Sequence, residues 1–369
     1  MSLGPGDGRI EPSRTDRTEA SIRRRRMYGL IALGVIVTVG LALTQVGGDD
    51  GAAAAPSSPP PAGSASLPAG SSRDLLAFSV TGAPKALLAV VGTSPSGTPG
   101  ALVLPSGMTI VVPGQGETVT EDVQALPGKS MQVGVSNAVG TWTDHYASMD
   151  LAQLGRAIDH AAGISANLPD AYPIGGTVLG PGPTHMTGDQ VVTFLHAKTD
   201  DTDLRWAAVL DGLLQAAPDL TQADFTETDD ASASAATLKA ASGSETQVPP
   251  TQVVGGTALV AKQPDFDELV GRVFGTPVPV RTLVQNGSGA PGIGEAVGRD
   301  LIPAGFRIVL SENASTFDHA TTTITSTGDD HLDDANRARQ ALGVGDVRVT
   351  QVPSGLADVA IVVGSDFKG

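Results

Sequence analysis

The longest apolar stretch of the chain covers residues 27–46. Its 20 residues, MYGLIALGVIVTVGLALTQV, carry no charge, and as a helix they would cross about 30 Å of hydrocarbon. Four arginines at 23–26 precede the stretch, and Asp49 and Asp50 follow it. Because positive charge marks the cytoplasmic side of a span, the pattern predicts one transmembrane helix with residues 1–26 in the cytoplasm and the bulk outside. A secretory signal peptide is the alternative, for which Ala52–Ala55 offer small residues.

Residues 47–74 show no apolar period and are rich in Pro, Ala, Ser and Gly. This composition is typical of a disordered linker. We therefore expect the folded part of the chain to begin near residue 75.

Short apolar runs alternate with amphipathic segments over residues 75–275. The predicted strands are 75–81, 85–91, 101–104 and 108–112. The predicted helices are 149–162, 187–197, 203–217, 230–241 and 265–274, with Asp150 and Thr187 as N-caps and Gly163 as a stop. Such alternation predicts an α/β domain with a mainly parallel sheet.

Residues 275–279, GTPVP, mark a domain boundary, and a second alternating segment follows over 280–367. Its predicted strands are 280–285, 306–310, 321–326, 347–352 and 359–363, and its predicted helices are 293–302 and 332–342. The pattern predicts a small second α/β domain.

The charge distribution separates the tail from the body. The chain has 23 basic and 39 acidic residues. Residues 1–26 contain seven of the basic and four of the acidic residues, so the remainder carries a net charge of −19. An acidic body argues against nucleic acid as a partner, because affinity for phosphate backbones needs clustered Lys and Arg. The absence of Cys excludes disulfides, thiolate metal sites and a thiol nucleophile. No metal site is expected from the scattered His residues.

The C-terminal segment resembles the LytR C-terminal domain of actinobacterial envelope proteins. The resemblance covers nearly all of 280–367 and is carried by VRTLVQNGSGAPGIGEAVGRDLIPAGFRIV, ANRARQALG and ADVAIVVGSDF. In this stretch Asn286 and Gly287 are expected to supply the positive φ of a sharp turn. With Ser288 and Gly289, they could offer backbone N–H groups to an anion, or the turn could be purely structural.

Residues 75–275 resemble the LytR-CpsA-Psr domain. The pieces LVLPSGMTIVVPGQGE, DHYASMDLAQLGRAIDHAAGI, GPTHMTGDQVVTFLHAKTDDTDLRWAAVL and QVVGGTALVAKQPDFDELVGRVF follow one another in the family's order. The resemblance implies an α/β domain with a mixed sheet. It also implies transfer of a glycopolymer from a polyprenyl pyrophosphate carrier to the cell wall, with arginines on the pyrophosphate and Mg²⁺ held by Asp.

The chain departs from the family where that chemistry needs charge. Ser106 and Gly107 stand where the family has Arg and Asp, and Ala208 and Val209 stand where it has Arg and Gln. Residues 75–275 contain only three arginines, at 156, 205 and 272. Too few guanidinium groups remain for the bidentate phosphate contacts that a pyrophosphate requires.

The residual catalytic candidates are His196, Lys198, Asp203 and Arg205, of which the last two match the family's acid and arginine. Asp144-His145-Tyr146 is a poor acid–base candidate, because adjacent strand residues point to opposite faces. We therefore expect a membrane-anchored, non-catalytic protein without a cofactor that binds a wall glycopolymer or envelope proteins. The alternative is an active transferase, which would need Mg²⁺. A transcription regulator is disfavoured by the predicted membrane span and the acidic exterior.

Overall fold

The computed structural model describes residues 74–85, 87–174, 176–197, 201–351 and 355–369. The predicted cytoplasmic tail, transmembrane helix and linker lie outside these residues. Within the described ranges, none of the helices has both the length and the apolar character needed to cross a bilayer.

The segment before residue 275 contains fourteen strands and seven helices among its described residues. The strands are β1 (Asp74–Thr81), β2 (Leu87–Thr93), β3 (Pro99–Leu104), β4 (Thr109–Val112), β5 (Gly116–Val119), β6 (His145–Asp150), β7 (Ile164–Leu168), β8 (Tyr172–Ile174), β9 (Thr177–Leu179), β10 (Gly182–Met186), β11 (Glu227–Thr228), β12 (Thr246–Gln247), β13 (Thr251–Val254) and β14 (Ala258–Ala261). The helices are α1 (Thr120–Gln124), α2 (Gly128–Val139), α3 (Leu151–His160), α4 (Gly188–His196), α5 (Thr202–Ala216), α6 (Ala231–Ala240) and α7 (Asp265–Phe274).

The main sheet of this segment is mixed, in the order β11-β6-β1-β2-β3-β12. Strand β1 is parallel to β6, whereas the pairs β1–β2 and β2–β3 are antiparallel. The mixed sheet is confirmed, and the mainly parallel sheet predicted from the alternation is wrong. The reason is that the short connections 82–86 and 94–98 can join only antiparallel neighbours.

Apolar side chains cover both faces of this sheet. Along β1, Leu76 and Phe78 belong to a hydrophobic cluster shared with α3, α4, α5 and α6, whereas Leu75 and Ala77 belong to a second cluster shared with α2 and α7. Alternate residues of a strand point to opposite faces, so a continuously apolar strand implies two covered faces. The acidic stretch after residue 230 is part of this arrangement, since Leu238 packs in the first cluster and Phe266 in the second.

The segment after residue 279 forms a second sheet, with two helices among its described residues. Its elements are β15 (Val280–Asn286), α8 (Ile293–Leu301), β16 (Phe306–Asn313), β17 (Thr323–Ser326), α9 (Leu332–Leu342), β18 (Asp346–Val349) and β19 (Val359–Val363). The strand order is β16-β15-β19-β17-β18, in which β17 is antiparallel to β19 and the other pairs are parallel.

The two segments are joined by polar contacts. Asn137 of α2 donates to the carbonyl oxygen of Ile308 at 2.8 Å and accepts from its N–H at 2.7 Å. Ser130 donates to Glu295 of α8 at 3.0 Å. All described residues therefore belong to one compact unit.

Candidate functional site

The turn between β3 and β4 occupies the place at which the resemblance put the family's Arg and Asp. It consists of Pro105, Ser106 and Gly107, and the N–H of Met108 closes it by donating to the carbonyl oxygen of Pro105 at 3.1 Å. Thr120 of α1 donates its hydroxyl to the same carbonyl oxygen at 2.9 Å. Gly107 adopts φ +77°, and a side chain there would meet nothing within 4 Å.

Two carboxylates accept the hydrogen bonds that this turn can donate. Oδ1 of Asp203, in the first turn of α5, accepts from the backbone N–H of Ser106 at 3.0 Å and from its hydroxyl at 2.8 Å. Oε2 of Glu121 accepts from the N–H of Gly107 at 2.8 Å. The fold thus brings together Ser106 and Asp203, which lie 97 residues apart in the sequence. The N–H groups that could cradle a phosphate are already bound to anions.

Arg205 lies two residues after Asp203 in α5, and its guanidinium is buried. Nε donates to Asp201 at 3.0 Å and Nη1 donates to the carbonyl oxygen of Phe194 at 3.0 Å. The guanidinium carbon lies 4.2 Å from the ring centre of Tyr172 and 4.8 Å from that of Phe194. Only 5% of the residue is exposed. These contacts fix the arginine inside the fold as a link between α4, α5 and β8.

Tyr172 completes this buried group, because its hydroxyl donates to Oδ2 of Asp201 at 2.6 Å. Burial, together with the hydrogen bond to Asp201, raises the pKa of Tyr172 to about 12. The phenol therefore stays neutral at ordinary pH and acts as a donor to the carboxylate.

Of the other two catalytic candidates, the structure describes His196. His196 is exposed at the end of α4. Lys198 lies outside the described residues. In the described ranges no group of three or more His, Cys, Asp or Glu is placed to hold a metal ion.

The residues Asp144, His145 and Tyr146 contact different parts of the fold. Oδ2 of Asp144 accepts from the N–H of Leu75 at 2.9 Å, whereas Nδ1 of His145 lies 3.2 Å from Oδ2 of Asp229. Tyr146 is buried, and the three side chains do not share one site.

The turn after β15 is held by the side chain of Asn286. Its Oδ1 accepts from the N–H of Ser288 at 3.2 Å, the Ser288 hydroxyl at 3.0 Å and the N–H of Gly289 at 2.9 Å. The prediction of positive φ at Asn286 and Gly287 is wrong: Gly289, at φ +73°, and Gly292, at φ +77°, adopt it instead. Asn286 can remain extended because its amide replaces the backbone turn.

Gly287 is required for a different reason. A Cβ at this position would lie 2.8 Å from the ring of His319 and 2.9 Å from Val362. Its own N–H donates to the carbonyl oxygen of Val363 at 2.9 Å. The N–H groups of residues 287–289 are thus already bound within the protein.

Comparisons with known proteins match different parts of the chain. Residues 279–367 match the family model of the LytR cell envelope-related transcriptional attenuator. No curated protein sequence matches the chain.

Solved structures of LytR-CpsA-Psr proteins are similar to this chain over slightly more than half of its length. Bacillus subtilis TagV shares 14% identity, covering 55% of this chain and 96% of its own, with a TM-score of 0.46. The LytR-Csp2A-Psr enzyme from Actinomyces oris shares 17% identity over 56% and 91%, with a TM-score of 0.44. YwtF (TagT) of Bacillus subtilis, solved with a bound octaprenyl pyrophosphate lipid, shares 12% identity over 56% and 92%, with a TM-score of 0.45.

Two features of the chain were not predicted from the sequence. The role of Glu121 depends on a contact with Gly107 that no local pattern encodes, although an acidic residue in the first turn of a helix could have drawn notice. The loop after β16 carries an exposed Phe317 among polar residues. An aromatic within a polar loop was the signal that could have found it.

Proposed function

We propose that this chain is a single-pass envelope protein that binds a cell-wall glycopolymer or an envelope protein without catalysing transfer. Residues 27–46 would span the cell membrane, with 1–26 in the cytoplasm and the bulk outside. The match of 279–367 to a cell-envelope family model and the charge asymmetry around residues 27–46 support this role.

One observation carries the non-catalytic part of the proposal. The Ser106 and Gly107 N–H groups are bound to the carboxylates of Asp203 and Glu121. A pyrophosphate entering here would lose these donors and face two negative charges. Each charge-assisted hydrogen bond that is not made forgoes about 1.5–3 kcal/mol, so several together weaken binding by orders of magnitude.

The buried position of Arg205 supports the same conclusion. Arg205 is the family-matched arginine, and its guanidinium is committed to Asp201 and Phe194 inside the fold. A transferred phosphoryl group needs positive charge at fixed positions facing the ligand.

Mg²⁺ would be needed only by the transferase alternative. Oδ1 of Asp203 accepts two hydrogen bonds from Ser106, and Oε2 of Glu121 accepts one from Gly107. An ion bound at these two oxygens would have to displace the donors of the turn. Mg²⁺ is usually held by one or two carboxylates together with the phosphates of the substrate, and in the transferase alternative Asp203 would be the carboxylate that holds it.

The test is an assay of the purified full chain with octaprenyl pyrophosphate and Mg²⁺ or Mn²⁺. We expect neither transfer nor release of phosphate from the wild-type protein. Asp203→Asn is compared with the wild type, because its amide oxygen can still accept the hydrogen bonds from Ser106 while the negative charge is removed. Turnover by the wild type that is lost in Asp203→Asn would establish the transferase alternative.

The anchoring is tested separately with a topology reporter fused after Gly369. The proposed orientation predicts reporter activity only outside the membrane. Activity of the fusion in the cytoplasm would contradict both the orientation and the envelope role.

A further inference from the structure

The loop between β16 and β17 exposes an aromatic ring. Phe317 is 55% exposed, and it is the only aromatic among the large apolar side chains that the described ranges leave open to solvent. Its neighbours in the loop, Thr316 and Asp318, are also exposed. A single exposed apolar side chain is ordinary on a protein surface, so what distinguishes Phe317 is the ordered polar loop that presents it.

The ring of Phe317 packs against Gly289, which has no side chain to obstruct it. A Cβ on Gly289 would lie 3.1 Å from both Cβ and Cγ of Phe317, so the glycine lets the aromatic side chain lie directly against the turn. Gly289 also adopts φ +73°, which disfavours any other residue.

Hydrogen bonds fix the loop at both ends. The N–H of Ala314 donates to the carbonyl oxygen of Asn286 at 3.0 Å, and the N–H of His319 donates to that of Gly287 at 3.2 Å. On the other side, the N–H of Ser365 donates to the carbonyl oxygen of His319 at 2.9 Å. The ring is therefore presented by a loop that is already ordered, which lowers the entropic cost of binding.

The loop lies at the carboxyl ends of parallel strands, which is the side on which open α/β sheets bind ligands. Strand β15 is paired with β16 on one side and with β19 on the other, so the carboxyl ends of these three parallel strands lie next to one another. Polar groups from all three connections gather here, namely Ser288, Thr316, Asp318, His319 and Ser365. Thr316 donates its hydroxyl to Asp318, and Nε2 of His319 lies 3.4 Å from the same hydroxyl.

We infer that this edge, defined by Phe317 with Ser288, Thr316, Asp318 and His319, is a binding site for an uncharged glycan, with a sugar ring stacked on Phe317. A sugar offers an apolar C–H face to the aromatic ring and hydroxyl groups to the surrounding oxygens and imidazole. The inference rests on the proposed envelope role and specifies the class of glycopolymer.

Negative charge at this edge favours an uncharged ligand over a polyanion, because the ammonium of Lys368, which donates to the carbonyl oxygen of Ser365 at 2.8 Å, offsets the carboxylates of Asp318 and Asp366 only in part. The hydrogen bond from Thr316 lowers the pKa of Asp318, which keeps the carboxylate ionised beside the ring. The part of the chain after residue 46 is also strongly acidic. A polymer with repeating phosphates would be repelled, and the same argument disfavours stacking of a nucleic-acid base. Polar neighbours on both sides of Phe317 disfavour insertion into a bilayer.

The test uses the full chain in a detergent without a sugar headgroup, because maltosides would compete. Saturation-transfer NMR and calorimetry would measure binding of chitotetraose and maltotetraose, with poly(glycerol phosphate) as the anionic comparison. We expect one of the uncharged oligosaccharides to bind through the C–H face of its ring, and Phe317→Ala to weaken that binding about tenfold. Phe317→Trp should retain it.

The matched control is Val178→Ala, which removes another exposed apolar side chain, 63% exposed, from a different part of the chain. It should leave binding unchanged, and neither variant should alter the melting temperature. Equal binding by Phe317→Ala, binding of the anionic polymer alone, or capture of a protein in place of a glycan would each overturn the inference. The transfer and topology assays judge the proposed function independently, so the two failures remain distinguishable.

Discussion

Arg307 of β16 and Asp267 of α7 form a buried ion pair across the two halves of the fold, with Nη1 and Oδ1 2.6 Å apart. About a tenth of each side chain is exposed, at 10% and 12%. Burial lowers the pKa of Arg307, and the neighbouring carboxylate of Asp267 opposes that shift. The pair thus links the segment after residue 279 to the segment that carries the turn at 105–107.

Removing one member of this pair should be costly. Asp267→Ala leaves a buried guanidinium without its carboxylate, and we expect the free energy of unfolding to fall by about 3–5 kcal/mol. Urea unfolding of the full chain measures the effect. Asp265→Ala is the control on the same helix, because its pair with Lys262 is exposed at 46% and 53% and should contribute less than about 1 kcal/mol. Equal losses in the two variants would contradict the role of burial.

Asn137 is expected to stabilise the same interface through hydrogen bonds. Asn137→Ala leaves the N–H and carbonyl oxygen of Ile308 buried without that partner, and we expect a loss of about 2–4 kcal/mol. Hydrogen exchange at the Ile308 amide should accelerate accordingly. Asn336→Ala removes an exposed amide that donates to Leu332 and should change stability by less than about 0.5 kcal/mol. Unchanged exchange at Ile308 would show that another group carries this contact.

The raised pKa of Tyr172 predicts a loss of stability at high pH. Below about pH 10 both the folded and the unfolded protein keep the phenol proton. Between about pH 10 and the folded-state pKa of about 12, the unfolded chain loses it first, so the free energy of unfolding should fall by up to about 2–3 kcal/mol. Comparison of unfolding curves for the wild type and Tyr172→Phe isolates this contribution from other groups that titrate there. Parallel pH profiles for the two proteins would refute the prediction.

Two substitutions of Asn286 should differ in their effect on the free energy of unfolding. Asn286→Ala removes the acceptor used by Ser288 and Gly289, and should lower the free energy of unfolding by about 1–2 kcal/mol. Asn286→Asp keeps that acceptor and loses only the donation to Ala290, so it should cost less. Thermal unfolding of both variants checks the order. If aspartate is as disruptive as alanine, the acceptor is not what orders the turn.

Helix starts with a capping side chain were predictable from the sequence because their signal is local. Asp150 and Thr187 both cap their helices as predicted, each in a reciprocal exchange with a glutamine three residues later. By contrast, helix α2 was missed. Its sequence, GKSMQVGVSNAV, contains two glycines and three valines, which are poor helix formers, and its stability comes from burial against β4 and β6.

The candidate site was predictable only as far as the order of motifs allowed. That order placed Ser106 and Asp203 at related positions, and the fold brings them into contact. The burial of Arg205 was not predictable, since a lone arginine in a helix is ordinarily solvent-exposed. Its position depends on Tyr172 and Phe194, two aromatic rings from elements whose packing no spacing rule reveals.

The place at which the chain enters the described fold has a mechanical consequence. Strand β1 begins at Asp74 and lies inside its sheet, paired with β2 on one side and β6 on the other. Tension transmitted along this strand from the preceding residues is shared by two hydrogen-bonded ladders, which must shear together before the strand can slide. A body held between a tether and a bound wall polymer would therefore take up load at a strand held by two ladders, whereas an edge strand would be held by only one.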